Sequence, residues 1–116
     1  MTFDPTQERL SPDEVSETVA DAIESNDVVL FMKGTPLMPQ CGFSKRAIGL
    51  LSQYREDVAT VDVLPALGSY REELKEYSGW ETIPQTYVDG EFVGGSDILA
   101  ELEERGELEE LVADAA

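Results

Sequence analysis

The sequence predicts an α/β fold, a four-stranded mixed sheet flanked by helices on both faces. Three observations carry this. Apolar residues recur at helical spacing in some stretches and strand spacing in others, in the order α-β-α-β-α-β-β-α. The run Val28-Val29-Leu30-Phe31-Met32 is apolar throughout, as a central strand covered on both faces must be. Asp89-Gly90, between two short β-rich runs, is a two-residue hairpin signal. A strand–helix–strand unit demands a parallel pair with a right-handed crossover, and the hairpin adds an antiparallel pair. Helices on both faces are the simplest closure.

Each element has its own signature. Ser11-Pro12-Asp13-Glu14 starts a helix: Ser11 caps, Pro12 suits the first helical position and Glu14 completes a capping box. Leu10 and Val15 have the spacing of a hydrophobic staple. Val15, Val19, Ala22 and Ile23 form its apolar stripe, and it should end near Ser25-Asn26. Val28–Met32 is the first strand. Lys33-Gly34-Thr35-Pro36 breaks it, and 37–40 is a loop. From Cys41 to about Tyr54 a helix points Ala47, Ile48 and Leu51 inward. Val58 to Leu64 alternates around Val61 and Val63, a second strand. Tyr70, Leu74 and Tyr77 follow at helical spacing. Gln85–Val88 and Phe92-Val93 flank the hairpin turn, and Gly94-Gly95 turns into a last helix opened by Ser96 or Asp97. Gly106 interrupts that helix, and Leu108, Leu111 and Val112 resume its pattern. We expect a flexible segment over residues 1–10 and one domain over 11–116.

With 116 residues, the chain suits one small domain. Its 41% hydrophobic content is enough for a packed core. The net charge of −17 argues against nonspecific nucleic-acid binding and against an anionic membrane surface. The polar N-terminus and the shortness of the apolar runs point to a soluble cytoplasmic protein. Acid is concentrated at the ends. Residues 1–27 hold eight acids and one base, 81–116 hold eleven and one, and 28–80 hold six of each. Solvated helical faces explain this, and a halophilic, salt-rich cytoplasm is a further expectation. There is no histidine, which excludes a Cys–His pair and an imidazole metal site. With one cysteine, no disulfide forms within the chain.

That cysteine, Cys41, falls where a strand ends, a loop intervenes and a helix begins. A thiolate there meets unpaired helix N–H groups and the positive end of the dipole. Lys33 lies eight residues upstream and can add positive charge. A buried, inert thiol is the commoner state of a free cysteine. Pro39-Gln40 before it and Gly42 after it are poor core neighbours, so a reactive or metal-ligating thiol is the better reading.

Lys33-Gly34-Thr35-Pro36, then Pro39, then Cys41-Gly42-Phe43-Ser44 resembles the monothiol glutaredoxin family. Trp80-Glu81-Thr82-Ile83-Pro84-Gln85 and Gly90-Glu91-Phe92-Val93-Gly94-Gly95 resemble that family's downstream segments in order and spacing. The resemblance covers about residues 12–112 and implies a thioredoxin-like fold. Dithiol relatives carry a second cysteine where this chain has Ser44, which reads as an ordinary first-turn helix residue. The family's matching proline to Pro84 is cis. The resemblance further implies a glutathione or related small-thiol site. Lys33 and Arg71 would bind the glycine carboxylate, Ile83 would pair with the cysteinyl backbone, and Ser96 and Asp97 would hold the γ-glutamyl end. Asp97 can also cap its helix. Trp80 and Tyr87 read as packing residues. Many relatives have cysteine at the position of Ser96, a contact that should survive because it uses the backbone.

The implied function is binding and transfer of a [2Fe-2S] cluster. Cys41 of two chains and two small thiols would hold it in a cluster-bridged homodimer. A BolA-like protein and apo iron-sulfur proteins would be partners. Two alternatives stand beside it: a weak glutathione-dependent oxidoreductase using Cys41 alone, and a redox- or iron-sensing adaptor.

Overall fold

A computed structural model describes residues 9–115. Helix α1 (Pro12–Ser25) leads into β1 (Val28–Met32), α2 (Gly42–Ser52), β2 (Ala59–Asp62) and α3 (Leu67–Ser78). The hairpin β3 (Gln85–Val88) and β4 (Glu91–Gly94) is followed by α4 (Ser96–Glu104) and α5 (Leu108–Ala113). The capping box forms as expected: Ser11 Oγ accepts the Glu14 N–H at 3.2 Å and Glu14 Oε1 accepts the Ser11 N–H at 3.3 Å.

The strand order is β2-β1-β3-β4, with β1 parallel to β2 and antiparallel to β3, and β3 antiparallel to β4. The sheet is therefore mixed. Asp89 and Gly90 both take positive φ, 51° and 82°, as a tight hairpin requires. The second strand is shorter than its pattern. Val63 turns its N–H onto the Met32 carbonyl at 2.9 Å, and a 3-10 turn at Leu64–Ala66 follows.

Side-chain alternation along β1 explains its unbroken apolarity. Val29 and Phe31 face a layer built by α1 and α3, with Val15, Val19, Ile23, Tyr70, Leu74 and Tyr87. Val28, Leu30 and Met32 face a layer built by α2, α4 and α5, with Ala47, Leu51, Leu99, Leu108 and Val112. All five residues of β1 are fully buried. Phe31 and Tyr87 meet edge to face at 5.7 Å, a geometry that favours aromatic pairs.

The last helical stretch divides at Gly106, which takes φ 73°. Arg55, in the segment after α2, clasps the resulting α5. Its Nη1 donates to the carbonyls of Val112 at 3.0 Å and Ala115 at 2.8 Å, and its Nη2 to Asp27 Oδ2 at 2.9 Å. Nε donates to Asp57 Oδ1 at 2.6 Å.

Of the flexible segment expected over 1–10, residues 1–8 lie outside the described residues, as does Ala116 of the expected domain. Arg9 and Leu10 are anchored: the Arg9 N–H donates to the Pro65 carbonyl at 2.8 Å, and Leu10 packs on the α1–α3 layer. No helix of the described residues is long and apolar enough to cross a membrane.

Candidate functional site

The sheet gathers the site at one end. Phe31 pairs with Gln85 and Met32 with Asp62, so the end of β1 lies beside the start of β3 and the end of β2. Thr86 pairs with Gly94, which brings the start of α4 to the same end.

The loop from Lys33 to Gln40 closes on itself. Thr35 and Met38 exchange backbone bonds at 3.1 and 3.2 Å, and the Gln40 N–H returns to the Lys33 carbonyl at 2.9 Å. Asp62 Oδ1 anchors the loop by accepting the Gly34 N–H at 2.9 Å and the Leu64 N–H at 3.0 Å. Only a glycine fits at position 34. Its φ is 90°, and a Cβ there would lie 2.5 Å from the Met38 carbonyl oxygen. Leu37 and Met38 stand out at the tip, Leu37 95% exposed.

Closure of this loop delivers Cys41 as the N-cap of α2, partly exposed and with no side-chain capping bond of its own. Partial burial pushes the thiol up. The N–H groups of Ser44 and Phe43, the Ser44 hydroxyl and the charge of Lys33 together outweigh it, and the pKa is lowered from the ordinary cysteine value. Ser44 is therefore more than a first-turn helix residue. It is fully buried, and its Oγ accepts the Lys33 N–H at 3.0 Å, tying the end of β1 to the start of α2 beneath the thiol.

A depressed folded-state pKa adds stability above the unfolded value, and that stability is lost as pH falls through the folded one. The pH midpoint of Cys41 alkylation in the apo chain should accordingly lie below that of an ordinary cysteine. Ser44→Ala and Lys33→Ala should each move it up, because each removes a group that favours the thiolate. An unshifted parent midpoint contradicts this assignment.

Beyond the thiol a groove of about 550 Å³ opens. Phe43 lines it together with Trp80, Thr82–Gln85 and Phe92–Ile98. The Ile83–Pro84 bond is cis. Gly94 and Gly95 keep the wall thin: a Cβ on Gly94 would lie 2.7 Å from Ile98, and one on Gly95 3.1 Å from the Pro84 carbonyl oxygen. Gln85 fixes the segment before β3, its Nε2 donating to the Trp80 carbonyl at 2.7 Å while its Oε1 accepts from the Tyr87 hydroxyl at 2.9 Å.

Of the six residues singled out from the sequence, Ile83, Ser96 and Asp97 line the groove, and Cys41 and Lys33 act on one another at the thiol. Arg71 stands in the second turn of α3, partly exposed, and is not a lining residue. Two expectations change. Gly95, not Asp97, is the N-cap of α4, which opens at Ser96 as expected. The Asp97 carboxylate instead meets Arg46 Nη1 at 3.5 Å. Tyr87 is a packing residue as expected, but Trp80 is 61% exposed and faces the groove.

The sequence profile of the glutaredoxin family matches residues 28–93, the span from β1 through the groove-lining hairpin. The chain belongs to this family. It is 44% identical over 100 residues to glutaredoxin 4 of Escherichia coli, covering 86% of each chain. It is 47% identical over 104 residues to the mitochondrial monothiol glutaredoxin-5 of Saccharomyces cerevisiae, covering 88% of this chain and 69% of that one. The solution structure of reduced poplar apo GrxS14 superposes with a TM-score of 0.75 at 44% identity, over 89% of this chain and 94% of that one. The fold is thus the thioredoxin-like one of the glutaredoxins, and with Ser44 at the second-cysteine position the chain is a monothiol member.

The sequence gives Phe43 and Arg46 no role of their own, and it marks Ser44 only as a first-turn helix residue and Trp80 only as a packing residue. Phe43 and Ser44 lay inside the motif beside the thiol. Arg46 carries no local signal, since its partner is 51 positions away on another helix.

Proposed function

We propose that this monothiol glutaredoxin binds a [2Fe-2S] cluster as cargo and passes it to apo iron-sulfur proteins, with a glutathione-like thiol as co-ligand. The observation that carries this is the donor set. The chain has one cysteine, its thiolate is stabilised at the start of α2, two residues before Phe43 of the groove wall, and there is no second thiol to resolve a mixed disulfide. A [2Fe-2S] cluster commonly takes four thiolates. Two chains supply two, and two small thiols complete the set, so the holo form is a cluster-bridged homodimer. Lys33 and Arg71 receive the glycine carboxylate, the Ile83 backbone pairs with the cysteinyl residue, and Ser96 and Asp97 hold the γ-glutamyl end. A BolA-like protein is a further partner.

The lowered Cys41 pKa also favours a second reading, glutathione-dependent reduction of mixed disulfides by Cys41 alone. Rapid turnover of a mixed-disulfide substrate, without cluster transfer, would select it.

Anaerobic reconstitution with several thiols, followed by native mass measurement, tests the carrier reading. The holo form should be a dimer with two small thiols and the apo form mainly a monomer, because chains of net charge −17 repel one another. Removing the small thiol should release cluster and dimer together. A dimer that keeps its cluster after exhaustive thiol removal overturns the scheme.

A further inference from the structure

We propose that Arg46 sets the head-group selectivity of the groove by forming, with Asp97, a paired site for a zwitterionic amino-acid end. The inference rests on the small-thiol reading of the groove and adds a residue to it. Arg46 lies on α2, five positions past the thiol, and its Nη1 is 3.5 Å from Asp97 Oδ1 at the start of α4. Asp97 is also a wall of the groove. Both side chains are well exposed, at 50% and 87%, and at this separation the pair is loose enough to admit a ligand.

An Asp97 already opposite a guanidinium is a poor partner for a lone ammonium, which must share the carboxylate with Arg46. A lone carboxylate fares no better, since Asp97 stands beside Arg46 and opposes it. A group with ammonium and carboxylate on one carbon satisfies both at once. Its ammonium takes Asp97 and its carboxylate takes Arg46, so each charge keeps a partner. The γ-glutamyl end of glutathione has this chemistry. Reaction with hydroxyethyl disulfide, which carries no charged end, reads the intrinsic reactivity of the Cys41 thiol separately in each variant.

The test uses the apo chain and reads mixed-disulfide formation by intact mass. The Cys41 thiolate attacks one sulfur of a symmetric disulfide. The Cys41–S bond forms, the old S–S bond breaks, and the released thiolate is protonated by water. Three disulfides are compared: that of glutathione, that of the analogue lacking the α-carboxylate (4-aminobutanoyl-cysteinylglycine), and that of the analogue lacking the α-amine (glutaryl-cysteinylglycine). The parent should favour glutathione over both. Arg46→Ala should reduce the preference over the carboxylate-free analogue about two- to fivefold, the range of an exposed charge pair. It should not reduce the preference over the amine-free analogue, because Asp97 remains. Arg46→Lys should restore part of the loss, and hydroxyethyl disulfide should react alike with all variants. If the parent discriminates and Arg46→Ala discriminates equally, the role of Arg46 is overturned while the thiol site stands. If the parent treats all three alike yet favours them over hydroxyethyl disulfide, this inference falls while the small-thiol reading stands; if it treats all four alike, both fall.

Discussion

Cys41→Ser is expected to abolish binding of iron and labile sulfide while leaving the fold intact. Cys41 is the chain's one thiol, and a serine hydroxyl does not ionise to a soft ligand near neutral pH. The substitution costs the fold little. Cys41 is the N-cap of α2 with no side-chain capping bond, and serine is among the preferred residues at that position. Iron and sulfide assays after anaerobic reconstitution should read zero, with thermal melting at or slightly above that of the parent. Retained iron and sulfide in a folded Cys41→Ser protein would sink the carrier assignment.

The second large effect is expected at Gly34. Gly34→Ala forces a side chain into left-handed backbone, a cost of about 1–2 kcal/mol. It also drives a Cβ to 2.5 Å from the Met38 carbonyl oxygen and 2.8 Å from the Gln40 nitrogen. These are backbone atoms, so the loop itself must move, and with it the position of Cys41. Stability in urea should fall by at least about 2 kcal/mol, and cluster loading should fall with it. Gly42→Ala is the control. Nothing lies within 4 Å of a Cβ there, and alanine favours a helix over glycine by up to about 1 kcal/mol. It should melt like the parent or slightly later. Equal melting of Gly34→Ala and Gly42→Ala would mean that the loop is not built as described.

Local pattern made most of the fold legible. The fully apolar β1 announced a strand covered twice, Ser11-Pro12-Asp13-Glu14 announced a capped helix, and Asp89-Gly90 announced the hairpin, all as found. Cys41 was legible as a helix-start thiol for the same reason, and Lys33 does act on it. What was hidden depends on contacts between distant segments. Ser44 looks like a solvated helix residue until the end of β1 brings the Lys33 N–H onto its hydroxyl. Trp80 looks like core, yet Gln85 holds its backbone so that the ring faces the groove. The end of β2 is set by Val63 bonding back to Met32, which periodicity does not report. The cap of α4 falls on Gly95 and leaves Asp97 to Arg46, a choice made by two helices together.

Arg55 has a consequence for how the chain comes apart. At six residues, α5 is far too short to hold its shape alone in water. Its persistence depends on Leu108 and Val112, fully buried in the α2–α4 layer, and on one guanidinium that grips its final carbonyls and Asp27 just before β1. The end of the chain and the threshold of its central strand thus belong to one cooperative unit. Fraying of α5 cannot proceed residue by residue. It must release the Arg55 clasp and uncover the β1 side chains beneath in a single sub-global opening, at the end of the sheet opposite the thiol.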